Sequence, residues 1–187
     1  MLSSTSCCRR FLPRWQPGFT AAYFDHSGLY AFGRQPEALH WNCGQLAVAL
    51  RLIADAPPLI AALERFGPLY SAAIGRRWCW RVGVESLSPE KDAELVGQCE
   101  AYLAESDAPP DAFFHAHRGG RDLPDALRTV FEGRSDLDSS HPYWDDAEPQ
   151  TMLIEEVEAI WHGIDEADDW SPLHRKVAAI RRMGEAH

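Results

Sequence analysis

Three consecutive residues near the start of the sequence carry the side chains of a hydrolytic triad: Asp25, His26 and Ser27. In such a triad, a histidine takes the proton of the nucleophilic serine and a carboxylate orients the histidine. Consecutive residues do not easily adopt that geometry, so the sequence argues against this chemistry. A small hydrolase that uses His26 or Ser27 stays as an alternative, and loss of activity in His26→Ala would support it.

Two other groups of side chains could bind a metal ion. His115 and His117 offer two imidazoles, but no third ligand is placed by spacing, and a two-residue step on a helix points them apart. Residues 165–169 include four acidic side chains, whereas a divalent-ion site needs oxygens that converge from a loop. We interpret the histidines as polar residues at a helix end and the acidic run as a solvated corner.

Several function classes are disfavoured by what the sequence lacks. It has no G-x-G-x-x-G, G-x-x-x-x-G-K-[ST], H-E-x-x-H or G-x-S-x-G motif. The net charge of −10 argues against binding to nucleic acid or to an anionic membrane. No apolar run approaches the roughly 20 residues that span a bilayer. The five cysteines form no C-x-x-C pair, and we expect a reducing compartment, the cytoplasm.

The composition along the chain divides it into three parts. Residues 1–10 are polar without periodicity, and we expect them to be disordered or a foreign start. Residues 11–35 are rich in aromatic residues, glycine and proline, which is typical of a loop that packs against something. Residues 36–187 carry helical periodicity and are expected to form a helical lobe and an extension.

The helical pattern begins at Pro36, where apolar residues recur at steps of three and four. Because Trp41, Val48 and Leu52 fall off that stripe, we expect the first helix to be buried on more than one side. No segment alternates cleanly as a strand, and residues 78–84 come nearest. A further helix is predicted from near Pro58, with a break at Gly67-Pro68. Other helices are predicted after caps at Ser88, Asp122 and Ser171-Pro172, and over residues 153–164. The longest loop is predicted at residues 134–150.

Residues 24–42 form the most specific motif of the chain. A D-x-x-G-x-Y-x-[FY]-x-x-Q-P stretch is followed by W-N and a helix with L-A-x-x-L, and this order resembles the selenoprotein O (YdiU) family of kinase-like protein adenylyltransferases. Upstream, Phe11, Pro17, Gly18 and Phe19 also fit. The resemblance runs from about residue 11 to 182 and is strong only to about residue 54. The matching residues are Asp25, Gly28, Tyr30, Phe32, Gln35, Pro36, Trp41, Asn42, Leu46, Ala47 and Leu50.

The resemblance implies both a fold and an activity. The fold would be mainly α: the helical C-terminal lobe of a protein-kinase-like fold plus a C-terminal helical extension, without the N-lobe. Family members transfer AMP from ATP to protein hydroxyls of Ser, Thr or Tyr, with Mg²⁺ and basic residues stabilising the phosphates. The motif residues above would then belong to an activation-segment-like loop. Many members also pair an activation-segment cysteine with a C-terminal one, and Ala21 occupies the first position here.

The resemblance also implies what this chain lacks. The family's glycine-rich loop, ATP-binding lysine and catalytic residues lie upstream of the matched stretch, and its metal-binding Asp-Tyr-Gly would fall near residues 5–7, which do not match it. We therefore expect no catalytic, ATP-binding or metal-binding residue in this chain. Alone it would be inactive, as the product of a split gene, a frameshift or an early stop, so whether it is itself an enzyme stays open.

Two kinds of partner follow from these hypotheses. A truncated family member would need a separate N-terminal half, or would meet a protein substrate. Alternatively, the chain is a non-enzymatic helical interaction domain that binds a partner chain through its aromatic N-terminal loop, because exposed rings favour association.

Overall fold

The structure is a computed structural model that describes residues 12–187; the predictions for residues 1–10, and Phe11 of the aromatic loop, lie outside this range. The prediction of a mainly α protein is confirmed. Within residues 12–187 there is no β-strand, and the one β-bridge joins Val84 to Asp136. The helices are α1 Gln35–Leu50, α2 Ala56–Glu64, α3 Phe66–Val82, α4 Pro89–Ser106, α5 Pro110–Ala116, α6 Arg128–Phe131, α7 Ile154–Ala167 and α8 Ser171–Glu185.

The core lies between α3 and α4, which pack along their lengths. Residues spaced by three and four form the buried face of each helix, as expected for helices that bury one face. The short helices α5 and α6 close this core from the side. Its fully buried members are Cys79 and Val82 of α3, Leu95, Cys99 and Leu103 of α4, Phe113 of α5 and Leu127 beside α6.

Residues 78–84, which come nearest to a strand pattern in the sequence, are helical as far as Val82, because α3 continues through them. Gly75, Cys79 and Val82 repeat at helical spacing against α4, so packing decides in favour of helix. Gly83 then ends α3 with φ +74°, a left-handed conformation that favours glycine. A Cβ atom at this position would lie 2.5 Å from Cδ of Arg118, so the close approach also requires glycine.

Helix boundaries follow the sequence signals unevenly. Ser88 caps α4 as predicted, since its hydroxyl accepts a hydrogen bond from the Lys91 N–H at 3.3 Å. Asp122 does not cap a helix; it has φ +44°, and a 3-10 turn before α6 begins only at Asp125. The break between α2 and α3 falls at Arg65 rather than at Gly67-Pro68. Ser171 is the first residue of α8, which has no side-chain cap.

The predicted long loop at residues 134–150 is irregular apart from a 3-10 turn, Pro142–Asp145. It is nevertheless part of the interior, because Tyr143 and Trp144 are buried and pack with Ala186 at the end of α8. Arg182 of α8 pairs with Asp146 of this loop, which holds α8 to it.

Helix α1 departs most from prediction. We expected it to be buried on more than one side, but neither α1 nor α2 contains a buried residue. Trp41 is 64% exposed and Val48 66% exposed. Within residues 12–187, the apolar side chains distributed around α1 have too few neighbours to cover them.

Candidate functional site

The motif that begins at Asp25 lies in a closed loop, residues 12–34, which leads directly into α1. Two backbone hydrogen bonds close the loop: Phe32 N–H donates to the carbonyl of Phe19 at 2.8 Å, and Gly33 N–H donates to that of Pro17 at 2.7 Å. The loop is therefore a defined structure with paired ends, and its motif residues hold fixed positions relative to α1.

Asp25 organises the turn inside this loop. Its carboxylate accepts hydrogen bonds from the Leu29 N–H at 2.8 Å and the Tyr30 N–H at 2.7 Å. Partial burial by itself would raise the pKa of Asp25, but the hydrogen bonds from the Tyr30 and Leu29 backbone outweigh it and lower the pKa. The motif aspartate is thus a charged acceptor for the turn, and its lone pairs are directed at the backbone.

Gly28 sits in the middle of the same turn. Its φ of +70° lies in the left-handed region, which a residue with a Cβ atom adopts at a cost. The turn places Ala31 under the loop, where it is buried. Leu29 and Tyr30, the two residues just before it, remain exposed. The aspartate and the glycine of the motif therefore shape the same turn, at the end of which Tyr30 is exposed.

Phe32 connects the loop to the core. Its ring packs edge-on against Trp15 with centroids 5.5 Å apart, and Trp15 packs in the same way, also at 5.5 Å, against Trp78 of α3. The prediction that the aromatic loop packs against something is confirmed for these rings. Tyr23, Phe24 and Tyr30 contact one another instead, and they are 60–71% exposed.

Gln35 and Pro36 form the first turn of α1, where the missing N–H of proline costs no helical hydrogen bond. Arg34, just before them, holds Glu37 through two hydrogen bonds of 2.7 and 2.8 Å. The Gln-Pro pair of the motif thus sets the point at which the loop becomes helix.

Tyr30, Trp41 and Asn42 meet at a groove of about 770 Å³ between the loop, α1 and α2. The motif residues that do not build the loop therefore converge on one surface. Most of its surface is apolar, and its charged groups are the paired Arg34 and Glu37. The groove is lined by Leu29, Tyr30, Arg34, Glu37, Ala38, His40, Trp41, Asn42, Gly44, Gln45 and Leu63.

The candidate triad does not assemble. The Ser27 hydroxyl lies 3.4 Å from Asp25 Oδ1, and this carboxylate also accepts hydrogen bonds from backbone N–H groups of the turn. No hydrogen bond joins His26 to either neighbour in the described part of the chain, so the hydrolase alternative has no geometric support.

The candidate metal ligands are also separated. His115 is buried in the core with Nε2 3.2 Å from the Tyr143 carbonyl, and His117 Nδ1 lies 3.1 Å from the carbonyl of Arg121. Asp168 and Asp169 instead bond the Trp170 indole and the Ser171 N–H. Between residues 12 and 187, no three His, Cys, Asp or Glu side chains converge in a way that could hold a metal ion.

Sequence reasoning missed a buried ion pair. Arg134 donates to Asp92 Oδ1 at 2.7 Å, and both side chains are at most 3% exposed. The Leu87 N–H and the Ser86 hydroxyl bond the same carboxylate. Burial would raise the pKa of Asp92, but the bonds from Ser86 and Arg134 lower it. The only sequence signal was the Ser88 cap, which places Asp92 in the first turns of α4.

The second missed feature is a buried guanidinium. Arg118 is 2% exposed; it donates to the Trp80 carbonyl at 2.6 Å, and its Cζ lies 4.5 Å from the Trp144 ring centroid. Burial lowers the pKa of Arg118, and the charges of Arg81 and Arg121 lower it further. Neither pattern nor spacing distinguished this arginine from surface arginines.

Comparison with known proteins decides the family. A family model described as "Protein adenylyltransferase SelO" matches residues 9–121, which is more than half of the chain. The chain belongs to this family. The SelO match includes the closed loop, α1 to α5 and the groove, so the geometry described above is that of a SelO segment.

Curated relatives agree with this assignment. The chain is 29% identical to "Protein nucleotidyltransferase YdiU" of Gloeobacter violaceus over 92% of this chain and 41% of the relative. It is 28% identical to the protein of that name from Synechocystis, over 91% of this chain and 42% of the relative. A shorter stretch of 76 residues is 42% identical to the Synechococcus elongatus protein. The chain thus spans about two fifths of the length of the relatives it matches most fully.

No described helix combines the length and the apolar character that crossing a bilayer requires.

Proposed function

We propose that this chain is the C-terminal, helical part of an enzyme that transfers AMP from ATP to Ser, Thr or Tyr hydroxyls of proteins. In that reaction the hydroxyl oxygen bonds to the α-phosphorus of ATP, and the bond to pyrophosphate breaks. The observation that carries the proposal is the SelO match over residues 9–121, together with the ordered motif from Asp25 to Asn42. In this proposal the fold is the C-terminal lobe of a kinase-like enzyme with a helical extension.

The described residues do not fit a nucleotide and magnesium site. The groove has one carboxylate, Glu37, and Arg34 already holds it at 2.7 Å. No acidic cluster is available for Mg²⁺ within residues 12–187. We therefore assign no step at the phosphates to this chain, and we propose that ATP and Mg²⁺ bind to the part of the enzyme that this chain does not span.

The role that remains for the closed loop is that of an activation-segment-like element. Asp25 and Gly28 fix the turn that presents Tyr30, and Trp41 and Asn42 lie across the groove from it. A cytoplasmic location is part of the same proposal, and Cys43, Cys79 and Cys99 are free thiols.

A radiolabelling experiment tests the proposed function. The chain is incubated with ATP labelled at the α-phosphorus and a protein mixture, alone and after co-expression with the part of the Gloeobacter violaceus relative that it does not match. We expect label on protein only in the co-expressed sample, and no ATP-dependent thermal shift for the chain alone. ATP binding by the chain alone would contradict the inactivity, and absence of label from the complete complex would contradict the activity.

A second candidate is a non-enzymatic interaction domain that binds a partner through the aromatic loop. The exposure of Tyr23, Phe24 and Tyr30 at 60–71% favours it. The two candidates differ in outcome: the interaction domain would form a complex but would never yield AMP-labelled protein.

A further inference from the structure

The exposed apolar surface of this chain is concentrated in one region. Of fifteen large apolar side chains that are exposed within residues 12–187, twelve lie between residues 23 and 69. We call this region, formed by the loop turn, α1, α2 and the start of α3, the apolar surface. Exposed apolar surface concentrated in this way is unusual on a monomer and marks an interaction site.

The distribution around α1 is the second observation. Leu39 and Leu46 lie on one side of the helix, while Trp41 and Val48 each follow two residues later, about 200° around an α-helix. All four side chains are 50–66% exposed. A helix that is apolar on opposite sides is normally surrounded by protein. Contact with a single flat partner would leave one of these sides in water.

Helix α1 of this surface is also nearly free of charge. Helix α1 contains one carboxylate, that of Glu37, which Arg34 neutralises. The whole chain, in contrast, is 25% charged. Depletion of charged residues is typical of the centre of a protein interface, especially one between parts that stay associated. The surface therefore fits an apolar protein partner rather than a charged ligand.

The area is large enough for a stable interface. Four of the side chains are aromatic and 60–71% exposed, which leaves on the order of 500 Å² of ring surface. With the aliphatic side chains the surface reaches on the order of 1,000 Å², compared with about 800 Å² per partner in a standard interface.

We infer that the apolar surface is the docking site for the remaining three fifths of the SelO polypeptide, which encloses α1 from two sides. The curated relatives align over about nine tenths of this chain and continue well beyond it. A second copy fits less well, because a symmetric pair shares one patch and covers one side of α1. This inference rests on the proposed function, since the partner is the rest of the same enzyme.

Co-purification without ATP tests the docking site. The chain is co-expressed with the unmatched part of the Gloeobacter violaceus relative. The complex is isolated, and its molar mass is measured by light scattering. We expect a one-to-one complex that Val48→Glu combined with Leu52→Glu weakens at least tenfold. Trp161→Glu on α7, also 61% exposed but outside the surface, is the matched control and should leave binding unchanged. Each variant's helical content and unfolding midpoint are compared with the parent chain.

A measurement on the unmutated chain removes any dependence on variant folding. Hydroxyl-radical labelling of Trp41 should fall several-fold in the complex, while labelling of Trp161 stays constant. The inference is overturned if no complex forms, if Trp41 is not protected, or if the chain instead pairs with itself through Val48 and Leu52. A complex that protects Trp41 but transfers no AMP would contradict only the proposed function. AMP transfer without protection of Trp41 would contradict only the docking site.

Discussion

Residues 23–64 and residues 75–134 are both rich in apolar side chains, but large apolar side chains are buried in only one of the two regions. In the first region, α1 and α2 contain no buried residue. In the second, Cys79, Leu95 and Cys99 are at most 1% exposed and pack between α3 and α4. The difference shows that the spacing of apolar residues predicts a helix and which of its sides are apolar. Whether those sides are buried depends on the polypeptide that covers them.

The polar groups of the two regions show the same contrast. Asp25 and Asp92 each accept backbone N–H groups, but only Asp92 is buried with an arginine. A buried carboxylate whose partner is lost is left with an uncompensated charge, while a carboxylate near solvent is rehydrated. Chemically similar side chains should therefore respond very differently to substitution in the two regions.

The largest contrast is expected between two arginines. Arg134→Met should cost about 3–5 kcal/mol of unfolding free energy, because it leaves the Asp92 charge buried without its partner. Arg51→Met, which removes an exposed arginine bonded to the Ala54 carbonyl, should stay within about 0.5 kcal/mol. Urea denaturation at pH 7 measures both. Equal losses would mean that the first region is as well packed as the second.

The pH dependence of stability in the Arg134→Met variant tests whether the unpaired Asp92 charge causes the loss. In the parent chain the pKa of Asp92 is lowered from 3.8, so its ionisation contributes stability above that pH and the contribution is lost as the pH falls below it. Without Arg134 the buried carboxylate is better tolerated when protonated. The difference between parent and Arg134→Met should therefore shrink below about pH 4, whereas a purely steric cause would leave it constant.

A pair of leucines gives the next largest contrast. Leu95→Ala should cost about 2–5 kcal/mol, because Leu95 is completely buried and the cavity cannot collapse between two packed helices. Leu52→Ala, at a residue 90% exposed, should change the unfolding free energy by less than about 0.5 kcal/mol. In a complex with the rest of the enzyme, however, Leu52→Ala should weaken association. A large loss for Leu52 in the isolated chain would contradict the contrast.

For the second region, the sequence predicted the helices better than it predicted the buried polar contacts. The Ser-Pro cap located the start of α4, and helical spacing accounts for Leu95, Cys99 and Leu103 on its inner face, because these signals are local. Arg134 and Arg118 were not found, since their burial depends on contacts with residues far away in the chain. Residues 78–84 come nearest to a strand pattern for a similar reason: only packing against α4 decides that this segment is helical.

For the candidate site, the sequence identified the motif but not the role of each residue. The order of Asp25, Gly28, Tyr30 and Trp41 indicated one functional unit, and the structure places them in one loop and one groove. Residue order does not reveal that Asp25 accepts hydrogen bonds from the backbone or that Tyr30 is exposed, because both depend on how the turn folds. The burial expected for α1 was wrong in this chain because periodicity reports which sides are apolar, not which neighbour covers them.

A smaller, pH-dependent effect is expected at the end of α8, which packs on the second region. His187 lies between the rings of Trp80 and Trp144, at centroid distances of 4.7 and 4.9 Å. Burial and the charges of Arg81, Arg118 and Arg77 lower its pKa from 6.5 to about 4. Because the unfolded chain takes up this proton first, stability should fall as the pH drops from 6.5 towards 4.

His187→Phe isolates that contribution, because phenylalanine retains a ring between the tryptophans but cannot be protonated. Unfolding midpoints of the two proteins are compared from pH 7 to pH 4. The parent should lose more stability than the variant across this interval. Parallel curves would show that protonation of His187 does not cause the loss.

The smallest effect is expected in the closed loop. Asp25→Ala removes the acceptor of the Leu29 and Tyr30 N–H groups, so hydrogen exchange at these two amides should accelerate several-fold. The unfolding free energy should stay unchanged, because the turn contributes little to the core and water replaces the lost acceptor. Ser27→Ala, which removes only a 3.4 Å contact to the same carboxylate, is the control and should leave both amides protected. If Asp25→Ala instead lowered global stability as Arg134→Met does, the loop would be an integral part of the core. The contrast between the two regions would then begin at α1, and the turn that presents Tyr30 would belong to the rigid half of the molecule.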